Sequence, residues 1–419
     1  MTNADVSEIK QCRLCQSRKI KKLFNLKSTP PANSYIEKKD LKKSITSYNL
    51  KINLCLECGH LQLGHLVNRE KIFKNYLYTT NAAQLNIEHF KKYANKIKNL
   101  FPKKNKKYKI LDIASNDGTF LSFFDKKKFL RIGVDPARNL KKIAEKKRII
   151  QIPIFFSYKT SDHIKKKYGK FEIITANHVC AHLENPNDFF FGIKKLLSNK
   201  GIFVFEVSYR LEVIKNKTFD TIYHEHVDYH SLKPVISFAK KFDLELFDFD
   251  LVEAQGGSIR FYLGHKYQNN IKYKKINNQI KIEEKKYKLY NIKTYDKFFK
   301  NINKTKTKLK KLLNNFKKKK LIIAGYGAPA KATTFTYFFD LNKNIIKYIF
   351  DDNLMKQGKY TPGKKIPILN VKLMYKLMPD ILVILAWNYS KEIILKHKKY
   401  LKYNKKFIIP FPKIKIISK

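Results

Sequence analysis

The sequence has no uninterrupted apolar stretch that could cross a bilayer, since no run reaches the roughly 18 residues that a transmembrane helix requires. The N-terminal segment MTNADVSEIKQCRLC also lacks the basic start and apolar core of a secretory signal. We therefore expect no membrane partner, and a cytoplasmic location is the default prediction.

Acidic residues are scarce, with 34 Asp and Glu against 88 Lys and Arg, which gives a formal net charge of +54. Clustered cations bind nucleic-acid phosphates, so a zinc-containing, basic nucleic-acid-binding protein is one hypothesis. The lysines, however, are spread over every predicted element and occur with abundant Ile and Asn. We interpret the charge as a compositional bias on solvated surfaces that attracts anionic substrates only in a general way, and we expect no nucleic-acid partner.

Cysteine is also rare, with five residues in 419, too few for a disulfide scaffold. Four of them form two C-x-x-C pairs, Cys12 with Cys15 and Cys55 with Cys58. Four thiolates suit a tetrahedral Zn²⁺ site and leave no open position for catalysis, so the predicted role of the metal is structural. The spacer of 39 residues between the pairs is long for a zinc ribbon but can hold a small sheet. Two redox C-x-x-C sites are the alternative.

Apolar residues make up 43% and aromatic residues 14% of the chain, enough for several buried cores. In the middle of the chain, apolar β runs alternate with helical segments such as 187–198, a rhythm typical of an α/β fold with a doubly wound parallel sheet. The predicted strands span 108–115, 131–135, 149–153, 171–177 and 201–208. Two further runs, 243–249 and 258–263, complete the sheet as an antiparallel edge hairpin.

We predict four segments along the chain: a zinc-binding domain (1–70), an α/β domain that begins with a helix at 84–100 (71–267), a helical connector (268–318) and a second, Rossmann-like unit (319–419). The connector is Lys-rich but has apolar residues at helical spacing throughout, which favours long helices over a disordered charged linker. In the last segment, strands are expected near 346–350, 381–386 and 406–409.

The loop in LDIASNDGTFL (111–121) lacks the G-x-G-x-x-G pattern of dinucleotide-binding folds. Asp112, Asn116 and Gly118 would instead let a ligand approach the backbone where the next helix begins. Asp135 ends the second predicted strand, where a carboxylate can accept two ribose hydroxyls, although strands in other α/β domains also end in Asp. Because no glycine cluster is present to hold a diphosphate, the combination favours S-adenosylmethionine (SAM) over NAD.

The densest titratable cluster is TIYHEHVDYHS (221–231), which follows the fifth predicted strand. Five of its side chains fall within seven residues: Tyr223, His224, Glu225, His226 and Tyr229. The zinc-protease pattern H-E-x-x-H is not met, because Asp228 stands four residues after His224. Histidine is the usual general base near neutral pH, so we interpret the cluster as a candidate active site, with His182 as a second candidate base. A surface or packing cluster is the alternative.

A second glycine-containing turn, AGYGAPAK (324–331), also joins a strand to a helix. Gly325, Gly327 and Lys331 would hold a diphosphate at the helix N-terminus, although the P-loop pattern G-x-x-x-x-G-K-S/T is missing. The loop KQGKYTPGKKIPI (356–368) adds glycine, proline and cations. Both loops suit a nucleotide sugar, or are ordinary connections.

Taken together, these segments resemble the three-domain, zinc-containing, SAM-dependent C-methyltransferases of deoxysugar biosynthesis, over essentially the whole chain. The ordered matches are CLECGHLQL (55–63), YLYTT (76–80), DIASNDG (112–118), GVDPARN (133–139), ANHVCAHLENP (176–186), YHEHVDYHS (223–231), EAQGGSIRFYL (253–263), AGYGAPAKATT (324–334), KQGKYTPG (356–363) and PDILVILAWNYSKEI (379–393). One departure is Ala114, where many methyltransferases have glycine.

The resemblance implies structural zinc in the N-terminal domain, a class I methyltransferase fold in the middle and a C-terminal Rossmann-like domain that closes over a nucleotide sugar. It also implies methylation of a carbon next to a ketone, typically C3 of a dTDP-linked 4-keto-deoxyhexose. The implied catalytic residues are Tyr78, His182, Tyr223, Glu225 and His226. The implied SAM-binding residues are Asp112, Ala114, Asn116, Gly118, Asp135 and Asn177. The substrate side would have His224, Gly325, Gly327 and Lys331.

The chemistry of such a reaction agrees with these residue types. A C–H bond beside a carbonyl is acidic only when the enolate is stabilised, so a base and hydrogen-bond donors are both needed. We predict His226 as the base, Glu225 as the group that orients or tunes a neighbouring imidazole, and Tyr223 and His182 as donors to the oxygen or helpers in proton transfer. SAM-dependent O- or N-methylation of a sugar nucleotide or another small molecule is the alternative, since the same cluster would serve it.

Overall fold

The computed structural model describes residues 5–68, 72, 84–103, 106–265 and 271–419. Its N-terminal strands are β1 (Val6–Glu8), β2 (Ile20–Thr29), β3 (Tyr48–Cys55), β4 (Leu61–Leu63) and β5 (His65–Val67). β2, β3 and β4 form an antiparallel meander, and β1 pairs with β5 as a separate ribbon. Alternate residues of β3, namely Leu50, Ile52 and Leu54, are fully buried, so one face of the meander packs on a core.

The middle region forms the predicted doubly wound sheet. Its strands in chain order are β6 (Tyr108–Ile113), β7 (Phe129–Val134), β8 (Ile150–Ile152), β9 (Phe171–Asn177), β10 (Leu197–Ser208), β11 (Asp228–Tyr229), β12 (Leu244–Val252) and β13 (Ser258–His265). All but β11 belong to one sheet, with the spatial order β12-β13-β10-β9-β6-β7-β8. β6 to β10 run parallel, and β12 and β13 form an antiparallel hairpin at one edge, which confirms both predictions.

Helices connect these strands: α1 (Gln84–Asn99), α2 (Thr119–Ser122), α3 (Arg138–Lys146), α4 (Tyr158–Tyr168), α5 (Pro186–Leu196), α6 (Arg210–Asn216) and α7 (Leu232–Lys240). Local sequence explains where two of them begin. Ser157 and Thr160 form a reciprocal capping box at the start of α4. Asn185 accepts hydrogen bonds from the first amides of α5, and Pro186 occupies the first turn, where its missing N–H costs nothing.

The short strand β11 belongs to the N-terminal sheet although it lies far along the chain. It pairs antiparallel with β4, with Asp228 opposite Gln62 and Tyr229 opposite Leu61. The segment predicted to contain the active site therefore continues directly into a strand of the cysteine-containing domain.

The connector is helical where the structure describes it. It consists of α8 (Tyr273–Lys281), a π-helical turn (Ile282–Lys286) and α9 (Ile292–Lys318). The buried residues of α9 fall on one face, at the spacing that the sequence showed: Tyr295, Phe298, Ile302, Leu309 and Leu313. This face packs on the N-terminal meander, where the rings of Phe24 and Phe299 stack with centroids 5.0 Å apart.

The C-terminal region forms a second parallel sheet with a Rossmann-like arrangement. Its elements are β14 (Ile323–Tyr326), α10 (Lys331–Phe338), β15 (Ile349–Asp351), β16 (Ile368–Asn370), α11 (Met374–Leu377), β17 (Ile381–Ile384), α12 (Ser390–Lys396), β18 (Lys406–Ile409) and β19 (Lys415–Ile417). The spatial order is β16-β15-β14-β17-β18-β19, with β19 antiparallel. Chain order reverses between β14 and β17, the place where open α/β sheets bind ligands.

One buried apolar cluster joins the N-terminal and C-terminal domains. It includes Leu50 and Ile52 of β3, Ile302 of α9, and Ile349 and Ile368 of the second sheet. The two domains therefore pack as one body, which fixes the walls of the space between them. Among the helices that the structure describes, none has the length and apolar character needed to span a membrane.

Candidate active site

A cleft of about 1630 Å³ opens where the three domains meet. Residues 7–13 of the N-terminal domain, the carboxyl ends of β6, β7 and β9, and residues 329–331 of the C-terminal domain line it. Single small-molecule sites occupy roughly 300–1000 Å³. The cleft is therefore large enough for two ligands side by side, one against each parallel sheet.

The loop after β6 presents Ala114 and Asn116 to the cleft. Both residues have left-handed backbones, with φ of 58° and 51°. The amide of Asn116 donates to Asp135 Oδ2 at 2.9 Å, and the amide of Ala137 donates to Oδ1 at 2.8 Å. Burial raises the pKa of the Asp135 carboxyl, while these two donors favour its charged form. Each oxygen keeps a lone pair, so the arrangement fits a carboxylate that accepts ribose hydroxyls.

Asn177 lies on the cleft wall at the end of β9. Its Oδ1 is buried and has no hydrogen-bond partner among the described residues, so it is free to accept from a ligand. Asp112 lies behind this wall instead, where it accepts from Thr175 Oγ1 at 2.6 Å. Burial raises the pKa of Asp112 to about 7.

Gly118 also lies away from the cleft. It has a φ of 73°, and an added Cβ would meet Ile149 Cδ1 at 2.6 Å. Of the six predicted SAM-binding residues, the structure thus brings Ala114, Asn116, Asp135 and Asn177 to the cleft. Asp112 and Gly118 lie on the side of the loop that faces away from the cleft.

His226 lines the cleft as part of a hydrogen-bonded chain. Its Nδ1 is 2.8 Å from the Thr221 carbonyl oxygen, and its Nε2 is 2.8 Å from the Tyr223 hydroxyl. Because a carbonyl can only accept, Nδ1 has the proton and Nε2 is the acceptor of the Tyr223 hydroxyl. Burial, with His182 nearby, holds the pKa of His226 well below its usual value. The ring is therefore neutral at pH 7, with the lone pair of a base at Nε2.

His182 is held beside this base. Its Nδ1 donates to the backbone carbonyl of Glu225 at 2.5 Å, and its ring centroid lies 4.9 Å from that of His226. Burial lowers the pKa of His182 to about 4, so this ring is neutral as well. The contact between Glu225 and this imidazole is made by the Glu225 main chain, and the role of Glu225 in orienting or tuning an imidazole stays a prediction.

The Glu225 carboxyl has a partner that the sequence analysis did not identify. Asn33 of the N-terminal domain donates to Oε1 at 2.8 Å. Burial raises the pKa of Glu225 to about 7, against this donor, which favours the charged form. In the sequence, Asn33 ends the segment TPPAN (29–33), whose two prolines indicate a turn or extended chain, and nothing there pointed to a contact with Glu225.

Lys331 reaches the cleft from the start of α10. Its Nζ donates to Asn388 Oδ1 at 2.6 Å and lies 4.0 Å from the centroid of the Trp387 ring. Burial lowers the pKa of Lys331 to about 8, although the Asp220 carboxylate favours the charged form. The ammonium is thus largely charged at pH 7 and faces the ligand space.

The other predicted substrate residues do not line the cleft. His224 turns toward the N-terminal domain, with its Nε2 3.1 Å from the Tyr48 carbonyl. An added Cβ on Gly325 would meet Ile349 at 2.9 Å, and one on Gly327 would meet Ala386 at 2.6 Å. These glycines allow neighbouring strands and loops to pack closely, so the structure gives them a packing role. Tyr78, the remaining predicted catalytic residue, lies outside the described residues.

A second unpredicted group borders the cleft at His178. Its Nε2 is 3.1 Å from Glu206 Oε1, which His89 also contacts at 2.8 Å. Arg260 donates to the other oxygen of Glu206 at 2.7 Å. Although burial opposes ionisation, these partners hold the pKa of Glu206 well below its usual range. Nothing in the local sequence pattern marked these distant residues as one network.

The two cysteine pairs converge on one point. The four sulfurs lie within 4.8 Å of one another, with Cys12 Sγ 3.6 Å from Cys58 Sγ and Cys15 Sγ 3.5 Å from Cys55 Sγ. A Zn²⁺ ion with Zn–S bonds of about 2.3 Å needs sulfurs roughly 3.8 Å apart. The cluster fits a tetrahedral Cys₄ ion better than two separate redox pairs.

Three family models match consecutive parts of the chain. Residues 12–73 match "Putative zinc binding domain", residues 85–248 match "Methyltransferase domain", and residues 253–412 match "C-methyltransferase C-terminal domain". The fold and site thus define a class I SAM-dependent methyltransferase flanked by a cysteine-cluster domain and a Rossmann-like domain. The three matches follow one another in the order expected for a three-domain C-methyltransferase.

Individual proteins are also similar to this chain. The chain is 28% identical to C-methyltransferase NovU from Streptomyces niveus over 418 residues, which cover 99% of this chain and 98% of the relative. A SAM-dependent methyltransferase structure from Clostridium acetobutylicum has 15% identity and a TM-score of 0.33, covering 42% of this chain and 92% of its own. The structure of magnesium protoporphyrin IX methyltransferase from Synechocystis has 9% identity and a TM-score of 0.32, and the match covers 44% of this chain and 79% of that chain.

Proposed function

We propose that the protein transfers a methyl group from SAM to the carbon next to a ketone, at C3 of a nucleotide-linked 4-keto-deoxyhexose, with a dTDP sugar as the first candidate. The observation that supports this most directly is the hydrogen-bonded chain Thr221–His226–Tyr223 in the wall of the cleft. It holds a neutral imidazole with its lone pair next to a hydroxyl donor. Enolate formation needs this combination of a base and a donor.

In the proposed reaction, His226 Nε2 accepts the proton from C3, and the C–H electron pair moves into the enolate. The Tyr223 hydroxyl turns from Nε2 toward the developing oxygen at C4 and donates to it. The Thr221 carbonyl keeps the proton of His226 on Nδ1 and stabilises the imidazolium that forms. When bound, SAM supplies the electrophilic methyl group that the C3 electron pair attacks.

The residues around the loop after β6 fit the cofactor. Asp135 would accept the ribose hydroxyls, and Asn177 Oδ1 would accept a hydrogen bond that the described residues do not supply. On the opposite wall, Lys331 would bind an anionic part of the sugar nucleotide. The four cysteines would hold a structural Zn²⁺ that takes no part in the reaction.

The test is to incubate purified protein with SAM and a panel of nucleotide-linked 4-keto-6-deoxyhexoses and to assign the product by NMR. We expect a new methyl group on carbon beside the ketone. In deuterium oxide without SAM, we also expect exchange of the C3 hydrogen, which His226→Ala should abolish. An O–CH₃ or N–CH₃ product would overturn the proposal in favour of the alternative chemistry, and so would strong C-methylation by His226→Ala.

A further inference from the structure

Arg13 lies inside the first C-x-x-C pair, and its side chain reaches out of the N-terminal domain into the middle domain. Its Nε donates to both carboxylate oxygens of Asp228, at 3.0 and 3.1 Å. Nη1 donates to the Glu184 carbonyl at 3.2 Å, and Nη2 donates to the Leu183 carbonyl. The side chain is only 5% exposed, so the guanidinium is largely enclosed by these partners.

These partners are next to the residues of the proposed reaction. Leu183 and Glu184 directly follow His182, and Asp228 stands two residues after His226. One guanidinium thus contacts both loops that present the two imidazoles. Since the guanidinium is planar and its donors have fixed directions, it sets the separation of the two loops more tightly than a flexible ammonium would.

The main chain of Arg13 is fixed as well. Its amide donates to Gln62 Oε1 at 2.9 Å, and its carbonyl accepts from Asn187 Nδ2 at 3.3 Å. Gln62 belongs to β4, and Asn187 lies in the first turn of α5. The position of the guanidinium therefore follows from the fold of the cysteine-containing domain and its contact with α5.

We propose that Arg13 is a positioning residue for catalysis, which holds the loops of His182 and His226 in register with the cysteine cluster. The inference rests on the proposed function in that it treats His226 as the base. It assigns the N-terminal domain a part in the reaction: the first C-x-x-C turn of the cysteine cluster supports a guanidinium that aligns the reacting groups.

The test compares Arg13→Ala and Arg13→Lys with the wild type and with Arg18→Ala, a control at an exposed arginine of the same domain. Each protein is measured for zinc content, for hydrogen–deuterium exchange of segments 182–184 and 223–228, and for kcat and KM. We expect Arg13→Ala to keep its zinc, to exchange faster in both segments and to lose about 100-fold in kcat, with the KM for SAM unchanged. Arg13→Lys keeps a cation for Asp228 and should recover only part of the loss.

Two results would overturn the proposal. One is that zinc-loaded Arg13→Ala exchanges hydrogen for deuterium at the wild-type rate in both segments. The other is loss of zinc from Arg13→Lys to the extent seen in Cys12→Ser, which would make Arg13 a support of the metal site alone. The exchange readout does not depend on turnover. If the wild type methylates no sugar on the panel, the proposed function fails, while the exchange data still decide the role of Arg13 in holding the loops.

Discussion

The two walls of the cleft differ in the charge that they present to a ligand. The middle domain contributes the neutral imidazoles of His182 and His226 and the carboxylate of Asp135, whereas the C-terminal domain contributes the half-buried side chains of Lys331 and Lys356. Burial lowers the pKa values of both lysines, and Lys331 is also one of the charges that lower the pKa of His226. Under the proposed function, the middle wall would move protons and the C-terminal wall would bind anions, and the charge of Lys331 favours a neutral His226.

The largest effect is expected from removing the base of the middle wall. His226→Ala should lower kcat by about 1000-fold, within the range that general-base catalysis contributes, and should leave SAM affinity unchanged. Steady-state kinetics measures kcat, and calorimetry of SAM binding measures the affinity. The exposed His163 of α4 provides the matched control, His163→Ala. Near wild-type turnover by His226→Ala would contradict the assignment of proton transfer to this wall.

The next largest effect tests the anion-binding wall. Lys331→Met should raise the KM for the sugar nucleotide about 30-fold, the usual value of a charge-assisted hydrogen bond, while SAM affinity is kept. The exposed lysine in Lys343→Met serves as the control. If Lys331→Met weakened SAM binding and left the affinity for the sugar nucleotide unchanged, SAM would bind the C-terminal wall and the sugar nucleotide the middle wall.

The pH dependence should link the two walls. With a pKa of about 8, the ammonium of Lys331 is charged below pH 8 and neutral above it, so wild-type affinity for the sugar nucleotide should fall above pH 8. Lys331→Met should lack this alkaline decline. Since the Lys331 charge also lowers the pKa of His226, the acidic limb of kcat should move to higher pH in the variant. Unchanged pH profiles would show that the walls act independently.

A smaller effect is expected at the carboxylate of the middle wall. Asp135→Asn should weaken SAM binding about tenfold, because one acceptor for the ribose hydroxyls becomes a donor. The affinity for the sugar nucleotide should be unchanged, and Asp162→Asn, at a side chain that is 61% exposed, is the control. Calorimetry with each ligand separately measures both values. Equal losses for the two ligands would argue that Asp135 only holds the loop together.

The smallest effects are expected from substitutions at two left-handed backbone positions, Ala114 in the loop after β6 and Gly327 in the loop after β14. Ala114 has a φ of 58°, which costs an L residue about 1 kcal/mol, so Ala114→Gly should leave stability unchanged or raise it by up to about 1 kcal/mol. Gly327 has a φ of 82° and faces Ala386, so Gly327→Ala should destabilise by about 2 kcal/mol. Urea unfolding measures both. A destabilised Ala114→Gly would mean that the alanine methyl group packs usefully.

Much of the fold follows from local patterns. The strands of the middle sheet and the buried stripe of α9 have the apolar spacing that the sequence shows, and both were predicted. β16 and β19 were not predicted: each has only three residues and closely follows a proline, Pro367 or Pro412, so the sequence suggested a loop rather than a strand. β11 was also missed, since only the pairing partner, β4, makes its two residues a strand.

The candidate site was predictable where chemistry is concentrated in one segment, as at Tyr223 and His226. Prediction was less successful where a residue type has two physical uses. Glycine serves both ligand approach and close packing, and only the neighbours of Gly325 and Gly327 show that packing applies here. Asn33 was missed because its contact with Glu225 spans 192 residues of chain, a distance over which sequence patterns give no information.

The pairing of β11 with β4 has a consequence for how the protein is assembled. His60 and Asp228 meet at 2.9 Å across 168 residues of sequence, and loops of such length close late in folding because of their entropy. During synthesis the N-terminal meander is made first and offers its free edge as a template. The segment with His226 can take its native shape only after that edge exists. The domains are thus not interchangeable modules: without the N-terminal meander, the middle domain would keep its own sheet but β11 would lose its pairing strand.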